Sequence, residues 1–427
     1  MNRKLLLLLL LLSTSILYSQ NINVYSGVIT NKETNEPLPF ASISLKNFPI
    51  GTISNEKGEF NFYIPGTYKN DTISVSYIGF NSYEVAISQA LRKFKIKLNP
   101  SNEVLNEVVL SSLSPLDYIK KALKNIENNY PQDSYQTVAY YREKFVENGA
   151  IINKNEGVFK TYYPDQTDTI KNQHQLVLYR PEENPQQFQF MREWFEDKQE
   201  KRRKKAIKKG KEFEEEEFNN DIDINLGGPE SVIDLDISND KEKGNYLNPK
   251  YLNKYEYTFG EETSLNGETL ITINFKAKRK IEYQKDWGKI LIHKESFAIV
   301  LIEQSGKFSM PFIVRPILFA VGLKIGNPTF SKVIQYQKFN DKWYPKLFRW
   351  DANIKLTKRR SFEANEHSDI NIGQVFSINQ LDSISNPIPE EKQFNTDEDM
   401  ENQVYNDLQL QWERINVVQD AIPPTEL

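Results

Sequence analysis

A strict alternation of apolar and polar residues at positions 23–98 restricts the fold more than any other feature. In the clearest run, Phe94, Ile96 and Leu98 alternate with three lysines, and similar runs centre on Ile43, Phe62 and Val75. A period of two gives each strand one buried face and one wet face. Residues typical of turns separate the runs. The stretch therefore predicts seven short strands in an antiparallel sandwich.

Five short motifs in this stretch resemble the carboxypeptidase-regulatory-like domain. They are GVI at 27–29, PLPFASI at 37–43, GT at 51–52, GEF at 58–60 and SYIGF at 76–80. The resemblance implies a transthyretin-like, seven-stranded β-sandwich that accompanies peptidases without being catalytic. Asn55 stands where the family usually has Asp, and Asn can form the same turn. Residues 105–110 resemble the segment before the plug of TonB-dependent receptors, but the chain after them does not resemble a plug.

The amino terminus has the pattern of a signal peptide. It has a basic start at 2–4, an apolar run at 5–12 that is too short to span a bilayer, and a polar end at 13–20. We expect cleavage near Ser19 or Gln20 and residence in the periplasm or at either face of the outer membrane. Because the sequence contains no cysteine, we expect neither a lipoprotein nor a disulfide.

The remaining chain predicts a second, larger unit. Ser114, Pro115 and Asp117 mark the start of an amphipathic helix, and strand patterns with hairpin turns follow it. The whole chain is therefore mainly β with some α. The predicted organisation is a signal peptide at 1–20, the sandwich at 21–100, a linker at 101–112, a larger antiparallel-sheet α+β domain at 113–385 with one capping helix and a charged insert at 181–220, and an acidic, proline-containing tail at 386–427.

Parts of the second unit resemble the lipoprotein-carrier type of sheet, although less closely. The similar pieces are residues 288–293, residues 298–303 and the motif DKWYP at 341–345. That resemblance implies a long antiparallel sheet wrapped around a helix, with acyl chains held in the concavity.

Several kinds of chemistry lack the residues they need. Zinc peptidases require a His with a Glu three residues later, but Val177, Ser296 and Ile370 follow the three histidines at that spacing. No nucleophile elbow or phosphate-binding glycine loop occurs, and an EF-hand-like run at 221–232 lacks its Gly and its final Glu. With a net charge of −4, we expect no nucleic acid partner. We predict no enzyme, catalytic residue, metal or cofactor.

Two sets of residues are candidates for binding. An apolar stretch at 308–325 would line a lipid-sized pocket, or else it is a helix buried under the sheet. Its candidate ligand-binding residues are Phe308, Met310, Phe312, Ile313, Leu318, Phe319, Val321 and Leu323. Aromatic and basic residues of the charged insert would contact a membrane or a partner, or else form a solvated helix or a disordered segment. These are Phe188, Phe190, Trp194, Phe195, Lys201, Arg202, Arg203, Lys204 and Lys205.

The predicted function is that of an exported envelope protein acting as a non-catalytic binding or carrier module, with an envelope protein or a lipid as its partner. One alternative is a structural or interaction protein associated with outer-membrane transport systems. A second is a hydrolase with a carboxylate pair that spacing cannot identify among 58 Asp and Glu residues. Glycan stacking by Trp194, Trp287, Trp343, Trp350 or Trp412 is a further option.

Overall fold

A computed structural model gives the fold. It describes residues 22–101, 113–165, 170–190, 192–213, 226–233, 236–237, 244–281, 283–309, 314–320, 322–359, 364–382, 385–405 and 411–418. The predicted signal peptide and nearly all of the predicted linker lie outside these ranges.

The N-terminal stretch forms the two sheets of a sandwich. The strands are β1 (Ile22–Asn31), β2 (Ser42–Leu45), β3 (Gly51–Ile53), β4 (Glu59–Pro65), β5 (Thr72–Ser76), β6 (Tyr83–Ala86) and β7 (Lys93–Leu98). Three strands have the order β4-β1-β7 and four have the order β3-β2-β5-β6. Apolar residues of both sheets share one core, so the predicted seven-stranded sandwich is confirmed.

One strand pair corrects the expectation of a wholly antiparallel sandwich. β1 and β7 run parallel, with Ser26 opposite Lys93 and Asn31 opposite Leu98. Parallel neighbours need a long crossover, and strands β2 to β6 supply it here. The alternation within a strand predicts its buried face, but it carries no information about the direction of its neighbour.

The turn at Asn55 forms as the sequence indicates. The Asn55 side-chain oxygen accepts hydrogen bonds from the amides of Lys57 and Glu59, both at 2.9 Å. Gly58 follows with a φ of +74°, in the left-handed region that glycine adopts without strain. Asn55 therefore forms the side-chain-to-backbone turn that the sequence predicts.

The second unit consists of one large sheet with short helices. Its helices are α1 (Pro115–Lys124), α2 (Ile126–Asn129), α3 (Arg192–Lys208), α4 (Glu230–Ile233) and α5 (Val314–Ala320). Its strands are β8 (Tyr135–Glu147), β9 (Ala150–Tyr163), β10 (Gln173–Pro181), β11 (Tyr255–Phe259), β12 (Thr263–Leu265), β13 (Glu268–Ala277), β14 (Gln284–His293), β15 (Ile299–Phe308), β16 (Leu323–Ile325), β17 (Thr329–Phe339), β18 (Lys342–Lys358) and β19 (Glu366–Asp382).

These twelve strands form a single antiparallel sheet, as predicted. The main order is β10-β9-β8-β19-β18-β17-β15-β14-β13-β11, while β12 pairs with β13 and β16 pairs with β18. The first and last long strands, β8 and β19, are neighbours in the middle. The sheet therefore depends on the pairing of two strands whose facing residues are more than 200 positions apart in the sequence.

One face of the sheet, here called the inner face, carries the helix and the main core. A row of buried side chains crosses the strands on this face: Ile290, Ile302, Ile334, Phe348, Phe376 and Tyr141. Ser114 caps α1 through a capping box with Asp117. Helix α1 buries Ile119 and Ala122 against this core. Just after α2, the Tyr130 hydroxyl donates a hydrogen bond to the Ile299 carbonyl at 2.7 Å. The predicted helix therefore lies across the sheet.

The opposite face, here called the outer face, carries the sandwich. Ile53 packs with Tyr140, Leu347, Val375 and Val418 in a separate apolar cluster. The amide of Leu381 donates to the Pro49 carbonyl at 3.0 Å. Because neighbours along a strand face opposite sides, Leu347 and Val375 point away from the inner residues Phe348 and Phe376.

The predicted charged insert contains the long helix α3. Residues 191 and 214–220 of that insert lie outside the described ranges, as do parts of the tail beyond residue 405. The domain limits given above remain predictions. Among the described residues, no helix has the length and apolar character needed to cross a bilayer.

Candidate functional site

The predicted apolar ligand site is only partly described. Phe308 ends β15 with its ring 4.6 Å from that of Phe330. Leu318 and Leu323 are half-buried, and Phe319 on α5 is 67% exposed. Met310, Phe312, Ile313 and Val321 lie outside the described residues. The described members therefore lie at the surface, and the pocket remains a prediction.

The aromatic part of the charged insert packs against the protein. Phe190 is only 5% exposed, and its amide donates to Glu147 at 2.9 Å. Phe188 is half-buried beside Phe145, with ring centroids 6.0 Å apart. Phe190 therefore cannot dip into a membrane in this structure, which corrects its predicted role.

The other candidates in this insert belong to α3. Phe195 is half-buried, and the side chain of Trp194 is not among the parts of the chain that the structure describes. The basic residues Lys201, Arg202, Arg203, Lys204 and Lys205 are all exposed. Their contact with a membrane or a partner remains a prediction.

The described part of the inner face is packed with side chains. Tyr246 stacks on Phe275 at 4.2 Å. Asp286 is fully buried and accepts hydrogen bonds from Tyr255 at 2.8 Å and Gln304 at 2.7 Å. Burial raises the pKa of the Asp286 carboxyl. Its hydrogen-bond partners among the described residues are a phenol and an amide, so they do not supply the second acid that a glycosidase-like pair needs.

A groove of about 780 Å³, lined by both apolar and charged residues, runs across the outer face from β14 to β8. The strand register brings one residue from each strand into a row along its floor: Trp287, Ser305, Ser331, Asp351, Gly373 and Lys144. Glu56 of the sandwich also lines the groove. The two units thus form it together, and we take it as the candidate site.

The charge of this groove is opposite in sign to that of the chain. Four cations, Arg142, Lys144, Lys307 and Arg349, line it together with two carboxylates, Glu56 and Asp351. The whole chain carries a net charge of −4. A concave surface lined by excess positive charge attracts anionic partners.

The two arginines are held in place, and the two lysines are not. Arg349 binds Asp351 at 2.6 Å and lies over the Phe40 ring. Arg142 reaches Glu56 at 3.9 Å. Within the described ranges, Lys144 and Lys307 form no ion pair, so both ammonium groups are free for a ligand.

Trp287 adds an aromatic surface to the groove. It is 39% exposed and shares a neighbouring pocket with Lys276, Lys285 and Lys307. The floor of the groove therefore continues beyond β14. An exposed tryptophan beside lysines can pack on an apolar side chain or a ring of a bound chain.

Sequence reasoning missed this groove except for Trp287, which it named only as a possible glycan contact. Alternation does predict which residues of β18 and β19 point outward. It does not predict that β8 lies beside β19, and this distant pairing brings Lys144 next to Gly373.

The sandwich agrees with a known domain family. Residues 25–110 match the CarboxypepD_reg-like domain. The match covers the N-terminal sandwich and its continuation, and it confirms the resemblance carried by the five motifs. No curated protein matches the chain.

Solved structures resemble the larger unit weakly. A domain from Vibrio parahaemolyticus described as an outer membrane lipoprotein-sorting protein is 8% identical, with a TM-score of 0.24, covering 65% of this chain and 95% of that one. A DUF1329 family protein from Desulfovibrio piger is 10% identical, with a TM-score of 0.22, covering 64% and 96%. At these TM-scores the likeness supports no inference about function.

Proposed function

We propose that this chain is an exported, non-catalytic binding module of the cell envelope, and that the outer-face groove holds an acidic segment of a partner protein. The observation that carries the proposal is the excess of positive charge in a groove built by the sandwich and the sheet together. The regulatory-like family of the sandwich supports a role without catalysis.

The shape of the groove favours an extended chain as its occupant. From β14 to β8 the floor crosses five interstrand steps, or roughly 24 Å. An extended peptide of about seven residues spans that distance. Acidic side chains would meet Lys144 and Lys307, and a neighbouring apolar side chain would rest on Trp287.

A lipid fits the described surfaces less well than a peptide does. Apolar residues such as Val146, Phe330 and Ile372 line the groove, but four cations, two carboxylates and several serine and asparagine side chains line it beside them. An acyl chain in the groove would have to lie against these charged groups, and the described inner face is filled by its own core. We therefore favour an acidic peptide over a lipid as the occupant of the groove.

The test is binding of a fluorescein-labelled deca-glutamate peptide, measured by anisotropy at several salt concentrations. We expect the double variant K144E/K307E to weaken binding by about tenfold or more, because two charge-assisted contacts become repulsive. K93E/K95E makes the same change in net charge on the exposed side of β7 and should change the Kd by less than about twofold.

Other results would contradict the proposal. If both double variants weakened the peptide equally, the binding would reflect overall charge and not the groove. If the peptide did not bind while hyaluronate or vesicles of anionic lipid bound in a Lys144-dependent manner, the occupant would be a polysaccharide or a membrane. Absence of binding to all three probes would overturn the assignment of the groove.

A further inference from the structure

A second cleft lies between the sandwich and the large sheet, away from the groove. It encloses about 610 Å³, with β2 and β5 on one side and β17 and β18 on the other. Four serine side chains of the sandwich line this cleft: Ser42, Ser44, Ser74 and Ser76. Their register pairs Ser44 with Ser74 and Ser42 with Ser76, so the hydroxyls form a compact patch.

Lys346 enters this cleft from the large sheet. Gln335 pairs with Leu347 and Tyr336 pairs with Pro345, so Lys346 is the extra residue of a β-bulge in β18. Bulges redirect side chains, and this one directs Lys346 toward the sandwich. The residue is 1% exposed and lines the cleft.

Gly51 shows how closely the ammonium approaches the serine patch. A Cβ placed on Gly51 would lie 2.8 Å from Lys346 Nζ and 3.2 Å from Ser44 Cβ. Lys346 Nζ and the Ser44 side chain therefore both lie next to the same position beside Gly51. A side chain at position 51 would collide with the ammonium, so glycine leaves the room that Lys346 occupies.

Among the described residues, Lys346 Nζ has no hydrogen-bond or ion-pair partner. Of the carboxylates that line the cleft, Glu84 binds Lys46 at 2.7 Å, and Glu268 binds Lys338 at 2.8 Å and lies 3.6 Å from His293. The third, Asp341, is exposed to solvent. A buried cation without a partner costs stability. Burial accordingly lowers the pKa of Lys346 to about 8, and a bound anion would relieve this cost.

We propose that the cleft binds a phosphomonoester group, with the Lys346 ammonium and the Ser44 and Ser74 hydroxyls as donors to its oxygens. A phosphate offers three oxygens to several donors, whereas a carboxylate offers two. The volume exceeds that of free phosphate, which leaves room for the alcohol part of an ester. The ester is that of a soluble sugar or of a lipid headgroup.

The test uses the chain from Asn21 onward and two probes. Glucose 1-phosphate is titrated in solution by calorimetry, and vesicles containing phosphatidic acid are tested by cosedimentation. Binding of glucose 1-phosphate would identify a soluble sugar phosphate as the ligand, and binding of the vesicles would identify a lipid headgroup. We expect K346M to weaken binding by about tenfold or more, since it removes a charge-assisted hydrogen bond.

Two further variants keep the result interpretable. K355M removes one positive charge from an exposed site on the same strand and should leave binding within about twofold. S44A/S74A removes hydroxyls from the sandwich face without touching β18, so it tests the site even if K346M folds poorly. We expect it to weaken binding severalfold.

The pH profile separates Lys346 from the other ionisable groups that face the cleft. Lys46, Glu84, Glu268, Tyr336, Lys338 and Asp341 remain in K346M. Wild-type binding should fall as the pH rises through about 8, whereas residual binding by K346M should not show that step. No binding of either probe at about 10 mM, or equal loss in K346M and K355M, would overturn the proposal. None of these variants changes a residue that lines the outer-face groove. The result therefore does not depend on whether the groove binds an acidic peptide.

Discussion

His174 makes the stability of the protein sensitive to acid. It is 5% exposed, and its Nδ1 lies 3.0 Å from the Thr161 hydroxyl. Burial lowers its pKa from 6.5 to about 4. Between these values the unfolded chain binds a proton that the folded chain does not, so stability is complete above pH 6.5 and falls toward pH 4.

The variant H174Q should remove this dependence. We expect wild type to lose up to about 3 kcal/mol relative to H174Q between pH 6.5 and 4. Urea unfolding across that range measures the difference. H367Q removes a histidine from the exposed part of β19 and serves as the control, with a profile like that of wild type. Parallel profiles for all three proteins would show that His174 is not the group responsible.

Single residues differ in how far the sequence reveals them. Asn55 is predictable because its turn depends on neighbours within four positions. The environment of His293 is less evident from the sequence: it is 6% exposed, and its Nδ1 lies 2.8 Å from the Ser296 hydroxyl. Lys346 could not be found, since its burial needs both the bulge in β18 and the docked sandwich.

At the scale of elements, the end of the chain joins the two units. Within the segment 411–418, the Asn416 side chain accepts from the Tyr63 amide at 2.7 Å, and its carbonyl accepts from the Asn379 side chain. Tyr63 belongs to β4 of the sandwich and Asn379 to β19. This short segment therefore bridges the sandwich and the large sheet.

The variant N416A should weaken that bridge. Loss of its buried side-chain bonds should cost about 1–3 kcal/mol of unfolding free energy, and the tail should be cut earlier in limited proteolysis. Q411A changes an exposed residue of the same segment and should match wild type. Denaturant unfolding and mass spectrometry of the fragments check both points. If N416A resists protease as wild type does, the bridge contributes little.

Elements formed by local chemistry were predictable from the sequence, whereas their distant pairings were not. The turn signals at residues 148–149 and 266–267 form hairpins, with Asn148 at φ 51° and Asn266 at φ 53°. The cap at Ser114 starts its helix. The parallel β1–β7 pair and the β8–β19 pair join residues far apart in sequence, and local periodicity cannot specify which distant strands meet.

At the scale of the whole molecule, the position of β1 bears on the predicted export. β1 begins at Ile22, where it pairs with Pro65 of β4. Cleavage near Ser19 or Gln20 would remove the apolar leader and leave every described pair of β1 intact. The predicted cleavage site and the first strand are thus compatible, and a mature protein would retain the complete sandwich.

Mass spectrometry of protein recovered from the periplasm-containing fraction should show an amino terminus near Ser19 or Gln20. Starting the chain at Asn21 should preserve the melting temperature of the mature form. Starting it at Ser26 should cost about 3 kcal/mol or more, because it removes four residues that pair with β4, including the buried Tyr25. Recovery of the chain with residues 1–20 still attached would contradict export by this route. Equal stability of the two truncated chains would show that the first half of β1 is dispensable.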